Sequence, residues 1–137
     1  MASPMRWKQR LENFERAMRL LKEAFETHPD GMSDLEKEGV VQRFEYTFEL
    51  AWKTLKDYLV YSGVALDQVT PRHVIKQAFA ARMIQDGQMW VEMLEQRNLM
   101  THTYDLETFE KVFDNIARRY LGALEQVLAW LKERAVE

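Results

Sequence analysis

The chain has 137 residues, 47 % of them hydrophobic, including four Trp, five Tyr and seven Phe. That is the size of a single domain, spanning 1–137, with one core, and it is too apolar for a disordered chain. Nineteen Lys and Arg against 22 Asp and Glu give a net charge of −3, which excludes a nonspecific coat for nucleic acid and leaves only local contacts of that kind.

Zero cysteines exclude a disulfide framework, thiolate metal sites and a Cys nucleophile. Met1 is followed by no apolar signal core, and every apolar stretch is interrupted by charge well short of the ~18 residues a membrane span needs. A cytoplasmic protein with no membrane contact is expected.

Five Gly and three Pro cut the chain into long charged and apolar segments, the punctuation of an all-helical protein. Ser3-Pro4 reads as an N-cap and first-turn proline. Trp7, Leu11, Phe14, Met18, Leu21 and Phe25 then recur at helical spacing until His28-Pro29-Asp30-Gly31. Ser33 and Glu36 form a capping box, opening the longest helix, whose stripe is Val41, Phe44, Phe48, Ala51, Leu55 and Leu59 and whose end is Gly63. Thr70-Pro71 starts a shorter third helix with Ile75, Ala78, Phe79 and Met83 as its apolar side, stopping near Asp86-Gly87. A fourth runs from about Gln88 through Trp90, Met93 and Leu94. Asp105 caps the fifth, with Phe109, Phe113, Ile116, Tyr120, Leu124, Val127 and Leu131 in line.

These elements predict an all-α fold, an up-and-down antiparallel four-helix bundle with one additional short helix. The second and fifth helices carry further apolar residues off the main stripe, Tyr46, Leu50, Val60 and Tyr61 on one, Val112, Leu121, Leu128 and Trp130 on the other. That surface is either an interface or a central helix touching two neighbours.

Chemistry concentrates in residues 95–105. Arg97 lies seven residues after Trp90, which puts a guanidinium on the side already assigned to Trp90, Met93 and Leu94. A cation that cannot lose its proton must find carboxylates, carbonyls or a bound anion there. On an intact helix His102 would point about 140° away from Arg97. The chain is therefore expected to leave the helix near Met100 or Thr101, letting His102 and Tyr104 turn back. Glu45, Glu49 and Lys53, spaced by four, form a polar ridge beside Phe44 and Phe48. Such a ridge is either solvated or placed so that Glu49 holds the Arg97 guanidinium. Asn98 has two readings, hydrogen bonding to a phosphate or base and helix-end capping. His28 is expected to be exposed and idle, and His73 is assigned no chemistry.

Arg97, His102 and Tyr104 reproduce an R-x4-H-x-Y pattern, and with Arg43 through Lys56, Thr70-Pro71-Arg72, Ile84 through Gly87, and Trp90 the chain resembles the HEPN superfamily. Within it the resemblance is to the HepT-like, or nucleotidyltransferase substrate-binding, proteins along essentially the whole chain. What the resemblance implies is the toxin of a toxin–antitoxin pair, a metal-independent endoribonuclease needing no cofactor. Arg97 and His102 would be catalytic and Tyr104 the regulatory site to which a minimal nucleotidyltransferase antitoxin transfers AMP, with Asn98 and Glu49 supporting. The substrate would be RNA, tRNA or mRNA.

The chemistry fits these residue types, since an imidazole takes a proton near neutral pH and a guanidinium stabilises a dianionic phosphorane. One histidine per chain lacks a partner acid, so a homodimer with a composite site is expected. The alternative is a noncatalytic subunit whose same pocket holds nucleotide or substrate for the nucleotidyltransferase. A third reading is a purely structural bundle in which the three side chains only bond one another.

Overall fold

The computed structural model of the protein describes residues 4–100 and 105–137. Among the described residues the fold is all-helical: α1 (Pro4–Glu26), α2 (Asp34–Tyr61), α3 (Pro71–Ala80), α4 (Gly87–Met100), α5 (Leu106–Asn115) and α6 (Leu121–Ala135). A π-helical turn, Ile116–Tyr120, joins α5 to α6 without a break. The five-helix reading stands, with the last helix under-wound in its middle.

Local chemistry sets the boundaries. Ser33 Oγ accepts from the Glu36 backbone N–H while Glu36 returns a bond to the Ser33 N–H, closing the capping box of α2. Thr70, Asp86 and Asp105 accept from the backbone N–H of His73, Met89 and Thr108 in the same way. α2 ends in a Schellman turn, Val64 N–H to Leu59 C=O at 2.9 Å, with Gly63 at φ 93°. α3 ends in the same turn, Met83 N–H to Ala78 C=O at 2.9 Å, but Arg82 occupies the left-handed position at φ 62°.

α2 is the central element, packed against α1, α3, α5 and α6, and reaching α4 through the Phe48–Trp90 ring contact at 5.8 Å. The apolar stripes meet as spacing dictates: Trp7, Phe14, Phe44, Phe48, Leu55, Ile75, Trp90, Met93, Tyr120 and Leu124 are all buried. Removing such side chains from water is the main stabilising term, about 1.5–3 kcal/mol each. Of the extra apolar residues, Val112 is buried and Leu50, Leu121, Leu128 and Trp130 pack partly against the core. Tyr46, Val60 and Tyr61 stay largely exposed. The central-helix reading thus accounts for most of them.

Three expectations fail. The third helix ends at Ala80 and not near Asp86-Gly87, because the left-handed Arg82 closes it, and Met83 is buried from the turn beyond it. Phe79, placed on the apolar side of α3, is 51 % exposed, and Val74 is buried in its stead. Seven residues after Arg72, the Phe79 ring follows the outer stripe of a ten-residue helix that buries only Val74, Ile75 and Ala78. His28 is not idle: Nδ1 lies 2.7 Å from the Ala24 carbonyl and Nε2 meets the Glu36 carboxylate, tying the end of α1 to the start of α2.

Candidate functional site

α4 carries apolar residues where it faces α2, and Arg97 extends that side by two turns from Trp90. Its side chain is four-fifths covered, and its Nη1 is bonded to Glu49 Oε2. Nη2 donates to Asn98 Oδ1 at 3.1 Å, and the guanidinium carbon lies 5.6 Å from the Phe48 ring centre, a cation–π distance. The half-buried charge has thus found a carboxylate, an amide oxygen and a ring face.

Glu49 serves three donors. Besides Arg97 it accepts from the Trp52 indole N–H at 3.0 Å and pairs with Lys53 Nζ at 3.2 Å. Burial alone would raise its carboxyl, but the bonds from Trp52 and Lys53 and the charges of Arg97 and Lys53 outweigh that, so it titrates below the ordinary carboxylate range. One turn earlier, Glu45 behaves oppositely. Burial pushes its carboxyl up, and the Arg97 charge only partly pulls it back. Two acids one turn apart thus differ in proton affinity around a single cation.

Arg97, Glu49 and Asn98 are brought together. α4 ends at Met100 and α5 begins at Leu106, capped by Asp105, whose carboxyl is held low chiefly by the Thr108 hydroxyl. His102 and Tyr104 lie outside the described residues, and so does the expected turn back toward Arg97. Among the described residues no group of three or more His, Asp or Glu is placed to hold a metal ion.

A second polar cluster was not foreseen. The buried Tyr120 hydroxyl donates to Glu92 and lies 2.8 Å from Gln96 Oε1. Arg119 pairs with Glu92, and Asn115 Nδ2 donates to Gln96 Oε1 at 3.3 Å. Glu92 is held low by Arg119 and Tyr120, while burial and then Glu92 push the Tyr120 phenol far above its usual range. The π-helical turn places both Arg119 and Tyr120 on α4. The available signal was Glu92 and Gln96, one turn apart on α4, opposite a tyrosine in an otherwise apolar stripe.

Residues 9–133 match the family described as nucleotidyltransferase substrate binding protein like. The chain belongs to that family. Among its relatives, "Probable ribonuclease HepT" of Haemophilus influenzae is 28 % identical over 95 residues, 67 % of this chain and 65 % of that protein. The match thus spans slightly under two thirds of the length of that curated relative. A solved protein of Thermus thermophilus, ttk003001694, has 34 % identity and a TM-score of 0.76 over 87 % of this chain and 98 % of its own. HI0074 of Haemophilus influenzae has the same fold, with a TM-score of 0.76 at 24 % identity, covering 89 % of this chain and 98 % of its own. Its structure is described as the fold of a substrate binding domain of a nucleotidyltransferase.

Proposed function

We propose that the chain is the toxin of a toxin–antitoxin pair, a metal-independent endoribonuclease that works as a homodimer. Arg97 and His102 carry the reaction, and Tyr104 accepts AMP from a minimal nucleotidyltransferase partner. The observation that supports this reading most is the Arg97 guanidinium, oriented by Glu49 and Phe48 at the end of the helix that leads into His102 and Tyr104.

In the reaction His102 takes the proton of a ribose 2′-hydroxyl. The 2′-oxygen forms a bond to the adjacent phosphorus, and the bond to the 5′-oxygen breaks. The leaving oxygen receives a proton from a second, protonated His102 across the two-fold axis, and a 2′,3′-cyclic phosphate remains. Arg97 stabilises the dianionic phosphorane with the N–H groups that Glu49 and Asn98 leave available. In AMP transfer a base of the nucleotidyltransferase partner takes the Tyr104 phenolic proton, the oxygen bonds the α-phosphorus of ATP, and the bond from that phosphorus to the β-phosphate oxygen breaks to release pyrophosphate. The new phosphodiester places negative charge beside Arg97 and blocks the substrate phosphate.

The test is incubation of the purified full chain with RNA in EDTA. Cleavage that vanishes in His102→Ala, with helix content unchanged by circular dichroism, is the expected result. Intact RNA with folded, dimeric wild-type protein overturns the proposal.

One observation favours a second reading. The matching family is described as nucleotidyltransferase substrate binding protein like, which suits a pocket that holds a nucleotide for the partner without turnover. Calorimetric titration with AMP and ATP beside the cleavage assay separates the two: binding without cleavage supports the accessory subunit.

A further inference from the structure

The longest run of this chain without Asp or Glu is 68–85, which carries Arg72, Lys76 and Arg82 in a protein of net charge −3. α3 lies inside it. Arg72, Lys76 and Phe79 stand at positions i, i+4 and i+7, one stripe along the helix. The Phe79 ring is half exposed, the most exposed aromatic ring among the described residues.

It lines a groove of about 430 Å³ between α3 and α4, with Ile75 and Val91 as apolar walls and Arg72 and Lys76 at the edge. That volume falls in the range of small-ligand sites. The ring lies close against the start of α4: a β-carbon on Gly87 would stand 3.1 Å from Phe79 Cδ1, so any larger residue there would push the ring by a few tenths of an ångström. The pair Arg72–Glu95 spans 3.7 Å between side chains more than half exposed, too weak to hold the cation against a phosphate. At the end of the same helix Arg82 occupies a left-handed position where glycine is usual.

We infer that this face of α3 binds single-stranded nucleic acid, with an unpaired base stacked on Phe79 and its flanking phosphates on Arg72 and Lys76. A flat exposed ring on an apolar floor beside two cations is the arrangement that holds a base and its backbone without reading sequence. As a docking site for the RNA substrate, the groove rests on the ribonuclease reading. It supplies affinity at a place distinct from the Arg97 contacts.

The experiment is fluorescence anisotropy with a labelled 12-nucleotide single-stranded RNA, on the full chain in a His102→Ala background that prevents cleavage. Phe79→Ala is expected to raise Kd about ten-fold with an unchanged salt slope, and Phe79→Trp to restore affinity. Arg72→Gln with Lys76→Gln is expected to lower the slope of log Kd against log salt by about 1.4, two single-strand phosphate contacts. Circular dichroism confirms the fold of each variant.

Absence of RNA binding in the parent, or unchanged affinity and slope in the variants, overturns the inference. So does a loss of self-association or of nucleotidyltransferase binding in Phe79→Ala while RNA affinity holds. Cleavage by the wild-type chain is measured alongside. RNA bound through Phe79 but never cleaved sinks the ribonuclease reading alone, and RNA cleaved with Phe79 irrelevant sinks this one alone.

Discussion

The carboxylate of Glu49 on α2 closes on the guanidinium of Arg97 on α4, forty-eight residues later in the chain. The same carboxylate takes the Trp52 indole N–H and the Lys53 ammonium. One side chain therefore fixes the cation, and its own position is set from within α2.

Glu49→Gln keeps an acceptor for Arg97 but removes the charge that orients it. RNA cleavage is expected to fall about ten-fold, the size of one misplaced transition-state contact, while stability changes by less than ~1 kcal/mol because the cluster is partly exposed. The Glu49 carboxyl titrates low, so its contribution to stability is present above about pH 4.3, the ordinary value, and is lost as pH falls further. Acid titration followed by circular dichroism should show that portion of the curve flattened in the variant.

Tyr120 gives the opposite dependence. Its phenol, raised by burial and by Glu92, stays protonated in the fold where an unfolded tyrosine ionises near pH 10. The unfolded state then holds fewer protons, so stability declines as pH rises above about 10. Absorbance at 295 nm should show one tyrosine that ionises only on alkaline unfolding. Tyr120→Phe removes that signal and costs about 1 kcal/mol, one hydrogen bond, because Glu92 keeps Arg119 and Gln96 keeps Asn115.

Asp57 is a buried carboxylate, held by Arg10 Nε at 2.9 Å and Lys56 Nζ at 3.1 Å. Arg10→Leu leaves it with one cation and is expected to destabilise by ~2 kcal/mol, discounted from a fully buried pair because Arg10 reaches solvent. Urea unfolding should show a lower midpoint at unchanged m.

Arg82 adopts φ 62° at the end of α3, where the equivalent turn after α2 has Gly63. Arg82→Gly is expected to stabilise the chain by ~0.5–1 kcal/mol through released backbone strain. Thermal melts of the two proteins check it.

Helix number, order and caps were legible because each rests on local signals: Ser33 with Glu36, Thr70-Pro71, Asp105, and apolar steps of three and four. Arg97 was legible as a cation needing a partner, since its spacing from Trp90 fixes its face. The partner's supports were less so. Trp52 reads as one more core aromatic, and nothing local shows its indole nitrogen bonding Glu49. Phe79 was misplaced because a ten-residue helix packed on one side leaves a narrow stripe, and spacing from Ile75 alone does not locate its edge. The π-helical turn had a faint trace: Ile116, Tyr120 and Leu124 step by four twice, a drift of about 80° on a regular helix.

That under-wound turn makes the long C-terminal rod tolerant of a change in length at one place. Deleting a single residue within Ile116–Tyr120 lets the backbone relax into ordinary α-winding, with α5 and α6 still presenting their apolar sides to α2 and α1. The same deletion a turn further along swings everything beyond it through about 100° and pulls Leu131 out of the interior. The loop of slack in this protein is hidden inside a helix.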